Sequence, residues 1–472
     1  MAKHGESSIF DTRSLNDIYE EVRQVYLSDG RSWIVGYSGG KDSTAALQLV
    51  WHAISELPRE KRTKPIYVIS SDTLVETPII VDYVHETLHR IIRAAREQGM
   101  PFQAQMVRPL VSETFWVNLV GRGYPAPQQK FRWCTDRMKI RPADRFILDK
   151  VSQYGEVILV LGVRVSESMT REQVMRLHRI KGSLLSRHTR FSGAYVYTPI
   201  KEFSLDDVWG YLLQVPSPWG GNNRNLLALY QSATAGECPL VVDQHTPSCG
   251  GTRFGCWVCT VVSQERSIQA LIDSGEEWME PLVGIRKQLA ATQDPSVKHL
   301  YREYKRRTGT VDLNRNRTGI VPGPYKLEFC KEILRMVLKA QVQVRKNGRD
   351  QNLALISPEE LYRIRRIWRT ERGDWEDSVP KIYCEATGRD LPWVNDDIGC
   401  LGGTELEMLE QLCEERGIPS MLVVKLITAE LGAQGMTRRS SIYPKIEKIL
   451  REEWRSKEEI LRNLHVHQPG GS

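Results

Sequence analysis

Short apolar runs alternate with longer amphipathic stretches over the first half of the chain. Four runs are rich in β-branched and aromatic residues and predict strands, at residues 33–37, 65–70, 102–107 and 157–162. A fifth run, at residues 195–198, predicts an edge strand. Because helical patterns separate these runs, the expected fold class is α/β, with a doubly wound parallel sheet.

The amphipathic stretches carry recognisable start and stop signals. A leading helix is expected to begin after the N-cap Ser14 and to stop at Gly30. A second, longer helix is expected to follow Thr77 as N-cap, with Pro78 in its first position, and to end at Gly99. Both helices have one apolar face, which indicates packing against the sheet.

The pattern changes near residue 216. A Pro- and Gly-rich loop is followed by a cysteine-rich segment and then by mostly helical, highly charged sequence. We therefore predict an N-terminal helix, an α/β domain, a cysteine-rich segment and a mostly helical, basic C-terminal region, at residues 1–30, 31–215, 216–267 and 268–472.

The composition is that of a soluble globular protein, with 41% apolar and 26% charged residues in 472. No run approaches the roughly 18 apolar residues of a membrane helix, and the N-terminus has no apolar signal core, so a cytoplasmic location without membrane contact is expected. Nine cysteines are then expected to be thiols or metal ligands. A net charge of +7 permits a nucleic-acid partner without establishing one.

The first strand runs into a glycine turn and a helix, which is the layout of a phosphate-binding loop. Paired glycines allow close approach of a polyanion, and N–H groups at the helix start favour negative charge. Lys41 adds a cation, whereas Asp42 would repel phosphate unless Mg²⁺ lay between them. A glycine-rich turn without a ligand is the alternative. The candidate nucleotide-binding residues in this loop are Ser38, Gly39, Gly40, Lys41, Asp42 and Ser43.

The loop sequence Ser-Gly-Gly-Lys-Asp-Ser lacks the spacing of a Walker A motif and resembles the PP-loop of ATP pyrophosphatases. In that family, whose fold is the adenine nucleotide alpha hydrolase-like sheet, the loop holds the β- and γ-phosphates while the α-phosphorus is attacked. The resemblance implies ATP and Mg²⁺ as cofactors, and catalytic roles for Lys41 and Asp42.

Polar residues also follow the second and fourth strands. Asp72 and Thr73 are expected to join the nucleotide site, because ligands of doubly wound sheets gather at the carboxyl ends of the strands. Arg164, just after a core strand, is a candidate catalytic residue that would face phosphate. Its alternative role is an ordinary ion pair, and Glu167 could hold it in place.

Four blocks in residues 31–213 resemble the 3′-phosphoadenylylsulfate reductase-like branch of the PP-loop family. They begin with the loop itself and continue at residues 72–78, 132–139 and 162–171. The block at 132–139 looks like the substrate loop of that group, and it contains Cys134, Arg137 and Lys139. Either cation could face phosphate or form surface ion pairs. Cys134 could accept sulfur as a persulfide or could simply be packed.

Four cysteines follow within 22 positions, with ten, six and two residues between them. Intervening glycines let the backbone wrap a compact centre, and four thiolates can bind Zn²⁺ or a [4Fe–4S] cluster. One Cys-x-x-Cys pair with irregular spacing favours iron–sulfur over a zinc ribbon, although zinc stays open. The candidate ligands are Cys238, Cys249, Cys256 and Cys259.

The chain resembles the DndC family, the PP-loop component of DNA phosphorothioation systems, in its PP-loop, its reductase-like blocks and the spacing of the last three of these cysteines. The resemblance implies ATP-dependent insertion of sulfur into the DNA backbone, with DNA, a cysteine desulfurase as sulfur donor and other proteins of the same system as partners. Alternatives are a phosphoadenylylsulfate or adenylylsulfate reductase, a tRNA thiolase, or a nucleotide-sensing scaffold without turnover. The cysteine tail and the adjacent Cys-Cys pair of the reductases are absent, and the thiolases typically have two Cys-x-x-Cys pairs.

Two basic stretches, at residues 171–190 and 298–317, are candidates for DNA contact. Tyrosines interleave the second stretch and could stack on a displaced base. Solvated helix faces are the alternative meaning of both.

Overall fold

The computed structural model describes residues 8–165, 177–233, 255–262, 266–394, 403–431, 433 and 442–466. The chain divides into two compact units, one of residues 1–110 with 129–283 and one of residues 111–128 with 284–472. The predicted four-part division of the chain stays a prediction.

The first unit contains a six-stranded sheet in the order β3-β2-β1-β4-β6-β5. Its strands are β1 Ser32–Gly36, β2 Ile66–Ser71, β3 Phe102–Val107, β4 Val157–Val160, β5 Ser186–Arg187 and β6 Ala194–Tyr197. The first four and β6 are parallel to their neighbours, and β5 is antiparallel to β6. The predicted α/β class is therefore confirmed, with β1 and β4 at the centre.

Helices cover both faces of this sheet. The larger apolar core lies on one face and includes residues of the first three helices, while a smaller core on the other face includes Phe146 and Ile147. The helices of this unit are α1 Leu15–Leu27, α2 Lys41–Ser55, α3 Pro78–Gln98, α4 Arg141–Tyr154, α5 Leu205–Gln214, α6 Asn223–Ala233, α7 Arg266–Asp273 and α8 Glu280–Ala291, which crosses into the second unit.

The predicted start of α1 is confirmed: Ser14 caps it through a reciprocal hydrogen-bond pair with Asp17. Thr77 precedes α3 as expected, but its side chain does not cap the helix and instead donates to the carbonyl of Gly255. The expected strand at residues 195–198 is confirmed as β6, but its expected edge position is wrong, since β5 pairs with the outer side of β6. A two-residue strand is too short to produce a recognisable alternation of side chains.

The second unit is helical around the buried π-helical turn Val117–Gly121. Trp116 donates to the carbonyl of Leu355 at 2.7 Å, and Trp368 donates to the carbonyl of Val120 at 2.9 Å. Its remaining helices are α9 Lys298–Tyr301, α10 Leu327–Asn347, α11 Pro358–Glu371, α12 Ser378–Thr387, α13 Gly403–Glu414, α14 Ser420–Leu431, α15 Ile442–Leu450 and α16 Lys457–Val466. No helix within the described residues combines the length and apolar character needed to cross a bilayer.

Candidate functional site

The glycine turn joins β1 to α2, with Gly40 in the N-cap position. Gly39 has φ +75°, and a Cβ there would lie 2.5 Å from Cγ2 of Val84, so glycine is required. The Ser43 hydroxyl accepts from the Ser38 N–H at 3.1 Å and donates to the Gly40 carbonyl at 2.9 Å. These bonds hold the positive end of the α2 dipole at the carboxyl edge of the sheet.

Asp42 lies between two cations. Lys41 Nζ is 2.9 Å from its Oδ2, and Arg164 Nε is 2.8 Å from its Oδ1. Burial raises the pKa of the Asp42 carboxyl, but the charges of Lys41 and Arg164 outweigh burial and hold that pKa below its ordinary value. The group is therefore ionised at neutral pH, and it positions the two cations beside the turn.

The loop after β4 approaches the start of α2 at Gly162. A Cβ at this glycine would lie 2.4 Å from the carbonyl oxygen of Asp42 and 2.7 Å from the N of Ser43. Real side chains do not occupy such positions, so only glycine allows this approach. The contact delivers Arg164, two residues later, to the Asp42 carboxylate.

Tyr230 of α6 also reaches the loop, a contact that local sequence patterns did not predict. Its hydroxyl accepts the backbone N–H of Lys41 at 3.2 Å, and the Lys41 Nζ lies 5.5 Å from its ring centroid. Burial raises the pKa of Tyr230, which keeps the phenol protonated. A helix 189 residues away in sequence thus contributes an oxygen to the anion-binding turn.

The second polar cluster lies beside the first, since the Tyr37 N–H donates to the carbonyl of Ile69 at 2.8 Å where β1 and β2 end. Asp72 is buried, and its oxygens accept from the Leu74 N–H and from Arg108 Nε, each at 2.9 Å. Arg108 follows β3 and was not among the predicted site residues. Its position directly after a strand was the available signal.

The described part of the cysteine segment is bound directly to residues 72–77. Trp257 N–H donates to the carbonyl of Val75 at 3.0 Å, and the Thr73 hydroxyl lies 3.5 Å from Sγ of Cys256. Thr77 donates to the carbonyl of Gly255 at 3.2 Å. The block that follows β2 therefore contacts the cysteine segment along its length, at Thr73, Val75 and Thr77.

The predicted substrate loop joins this cysteine neighbourhood. Lys139 and Arg137 both lie on the π-helical turn Thr135–Ile140. The Nζ of Lys139 is 2.9 Å from Oε1 of Glu76. Burial raises the pKa of Cys134, and the nearby Cys259 raises it further. Cys134 thus lies within electrostatic reach of Cys259, and its role as a sulfur carrier or a packed thiol stays a prediction.

Two of the four predicted metal ligands lie in the part of the chain that the structure describes. Cys256 and Cys259 lie one turn apart, with the Cys259 N–H donating to the Cys256 carbonyl at 2.9 Å. Cys238 and Cys249 lie outside the described residues, as does Glu167. Among the residues that are described, no group of three or more His, Cys, Asp or Glu side chains is arranged to hold a metal ion.

Residues 32–262 match the family model of the phosphoadenosine phosphosulfate reductase domain. The match spans just under half of the chain, so it shows that this part is similar to phosphoadenosine phosphosulfate reductase domains. The matched range includes the glycine turn, Asp72, Cys134, Arg164 and all four predicted cysteine ligands, so each candidate site residue lies within the range of similarity.

A second match lies in the C-terminal unit, where residues 404–451 correspond to a small protein found in certain Dnd DNA modification systems. A curated relative, an uncharacterised protein of Methanocaldococcus jannaschii, is 28% identical over 198 residues. The alignment includes 42% of this chain and 35% of the relative, so the chain spans about a third of that protein.

Solved structures with some similarity include the phosphoadenylyl-sulfate reductase of Candida auris in a phosphate complex. It is 15% identical, with a TM-score of 0.28, over 47% of this chain and 95% of that chain. The U34-tRNA thiolase NcsA of Methanococcus maripaludis, with its [4Fe–4S] cluster, is 13% identical with a TM-score of 0.28, over 60% of this chain and 80% of that one.

Proposed function

We propose that this protein is the ATP-dependent sulfur transferase of a DNA phosphorothioation system, similar to the DndC family. The observation that carries the proposal is the direct attachment of Cys256 to the 72–77 block, beside a PP-loop anion site. Support also comes from the C-terminal match to a small protein of certain Dnd DNA modification systems. A cytoplasmic location follows from this role.

The residues present suit ATP. The first turn of α2 and Lys41 would hold the β- and γ-phosphates, and Arg164 would stabilise charge at the α-phosphorus. Both oxygens of Asp42 accept from cations in the structure. We assign Mg²⁺ to Asp42 once Lys41 has turned from the carboxylate toward the triphosphate, since the metal would then replace a cation on the same oxygen.

The reaction is a two-step substitution at phosphorus. A non-bridging oxygen of a DNA backbone phosphate attacks the α-phosphorus of ATP, and pyrophosphate leaves. A hydrosulfide-level sulfur nucleophile then attacks the activated DNA phosphorus, and AMP leaves with the original oxygen. Sulfur replaces oxygen without a change of oxidation state at phosphorus, and a cysteine desulfurase would supply the sulfur.

The cysteine neighbourhood fits a thiolate-bound metal centre. Cys256 and Cys259, with Cys238 and Cys249, would hold a [4Fe–4S] cluster, with zinc as the alternative. The cluster would either pass sulfur on to the substrate or stabilise the structure of the segment. Cys134 would carry the incoming sulfur as a persulfide, and Lys139 would offset negative charge there. An external thiol would attack the inner sulfur of this persulfide, forming a disulfide with Cys134 and releasing the outer sulfur as the hydrosulfide nucleophile. Other proteins of the phosphorothioation system would deliver DNA and sulfur.

The family match gives one observation in favour of a second function, reduction of a sulfated adenylate. Purified protein would then release sulfite from phosphoadenylylsulfate with a thiol donor. A tRNA thiolase would instead modify tRNA, and a sensing scaffold would bind ATP without releasing pyrophosphate.

The proposal is tested by mass spectrometry of digested genomic DNA from cells that carry the intact system. Phosphorothioate-linked dinucleotides are expected, and both Asp42→Ala and Cys256→Ser should remove them. Cys384→Ser is the matched control, because Cys384 is exposed on α12 in the other unit. Full modification with Asp42→Ala would reject the role of the PP-loop, and absence of the dinucleotides in intact cells would reject DNA as substrate.

A further inference from the structure

A cavity of about 420 Å³ lies beyond the carboxyl ends of β4 and β6, beside the edge strand β5. Its size is within the range of small-ligand pockets. The apolar part of its lining comes from Ile9, Leu161, Val163, Leu184, Val196 and Phe203. The cavity therefore offers a surface on which a planar, largely apolar group can lie.

The polar side chains of one wall of the cavity pair with one another. The hydroxyl of Tyr197 donates to Oε1 of Glu21 at 3.0 Å, and Glu21 pairs with Arg13 at 2.8 Å. These polar groups have their partners within the wall, so they are not the groups that would recognise a charged ligand.

Three other cations line the same cavity, namely Arg179, Arg187 and Lys201. In the part of the chain that the structure describes, no carboxylate lies within ion-pair distance of any of them, in contrast to Arg190, which pairs with Asp144 at 2.6 Å. The exposed Glu202 is the remaining carboxylate of the lining. The lining thus has an excess of positive charge, which suits a phosphate group.

The loop after β4 separates this cavity from the proposed ATP site. Arg164 turns to Asp42 on one side, while Leu161 and Val163 line the cavity on the other. Arg179 and Arg187 are exposed beside the short edge strand, so both are accessible to phosphates that lie outside the cavity. A free nucleotide would not need these outer cations.

We propose that this cavity binds one nucleotide of a phosphodiester strand, with its base displaced from the stack. The base lies on the apolar wall, and adjacent phosphates contact Arg179, Arg187 and Lys201. This assignment rests on the proposed function, since it names where the DNA strand is held next to the activation site.

The test uses the full-length protein with its metal and a short fluorescein-labelled single-stranded oligodeoxynucleotide, measured by anisotropy over a range of salt. The Arg187→Gln/Lys201→Gln variant is compared with Arg93→Gln/Arg96→Gln, a control with the same charge change on α3, which packs at the opposite edge of the sheet. The cavity variant should bind several-fold more weakly. Its salt slope should fall by about 0.7 for each phosphate that the protein no longer neutralises.

Affinity for ATP is measured on the same proteins and should be unchanged in both variants. Equal oligonucleotide affinity in the cavity and control variants, with the intact protein binding DNA, would overturn the cavity assignment and leave the proposed function in place. If AMP alone binds with the same dependence on Arg187 and Lys201, the cavity takes a free nucleotide and the strand assignment fails. An intact protein that binds no oligonucleotide would overturn both proposals.

Discussion

Arg164 donates through Nε to Oδ1 of Asp42 at 2.8 Å, across 122 positions of sequence. The pair joins the loop after β4 to the first turn of α2, and the arginine side chain is 8% exposed. A guanidinium held in this way is oriented before any phosphate arrives, so little conformational entropy is lost on binding.

Replacing Arg164 tests this orientation. Arg164→Lys keeps the charge but loses the planar fork, and Arg164→Ala loses both. We expect single-turnover pyrophosphate release to fall about a hundredfold or more with alanine and by less with lysine. Arg93→Ala, an exposed arginine on α3, is the control. Unchanged release with Arg164→Ala would mean that the arginine only supports the fold.

Gly162 is predicted to be the least replaceable residue of the loop after β4. The Cβ of Gly162→Ala would meet the backbone of Asp42 and Ser43, so the loop must move. We expect a loss of about 1–3 kcal/mol in the free energy of unfolding, measured in urea, and weaker ATP binding.

The matched control is Gly210→Ala in α5, where nothing lies within 4 Å of the added Cβ. That substitution should stabilise the protein by roughly 0.5–1 kcal/mol, because alanine favours a helix interior. Equal effects of the two substitutions would contradict the close approach seen at Gly162.

Tyr230 is predicted to compete with phosphate for the Lys41 N–H. Tyr230→Phe removes the hydroxyl that accepts this N–H and keeps the ring. ATP should then bind more tightly, by roughly 0.5–1.5 kcal/mol, the usual net value of one hydrogen bond. Calorimetric titration of ATP measures the change. Weaker binding in the variant would instead identify the hydroxyl as a ligand of the nucleotide.

The ion pairs of Asp42 predict a pH dependence of stability. Its folded pKa is below the ordinary value of 3.8, so the stabilisation is fully present above that value and is lost as pH falls through the folded pKa. The difference in unfolding free energy between the intact protein and Asp42→Asn should therefore be constant near neutrality and shrink in acid. Glu97→Gln, at an exposed carboxylate of α3, serves as the control. A difference that grows in acid would contradict the assignment.

We expect the protein to lose its metal when a single cysteine of the cysteine-rich segment is replaced. Anaerobically purified protein should be brown with roughly four iron atoms per chain. Cys256→Ser and Cys259→Ser should each remove most of the iron and the visible absorbance, whereas Cys384→Ser should retain both. Colourless intact protein that contains zinc would replace the cluster assignment by a zinc site.

Local sequence was sufficient for the elements that carry the site. The apolar run at 33–37, the paired glycines and the amphipathic stretch after them specify a strand, a tight turn and a helix start, because these depend on neighbouring residues alone. The same reasoning placed Asp72 and Arg164 directly after strands, and parallel strands bring such positions to one edge. The α/β class and the position of the glycine turn were therefore determined by sequence.

Tertiary structure decided which of these residues meet. The pairing of Arg164 with Asp42, the contact of Tyr230 with Lys41 and the attachment of Cys256 to Thr73 each join segments that are 122 or more positions apart. Such contacts depend on which helices and strands become neighbours and on the close approach at Gly162, and the periodic pattern of the chain does not specify either. The sequence by itself determined the glycine turn at the helix start. The packing of distant segments decided which arginine and hydroxyl contact that turn, and which thiol contacts Thr73.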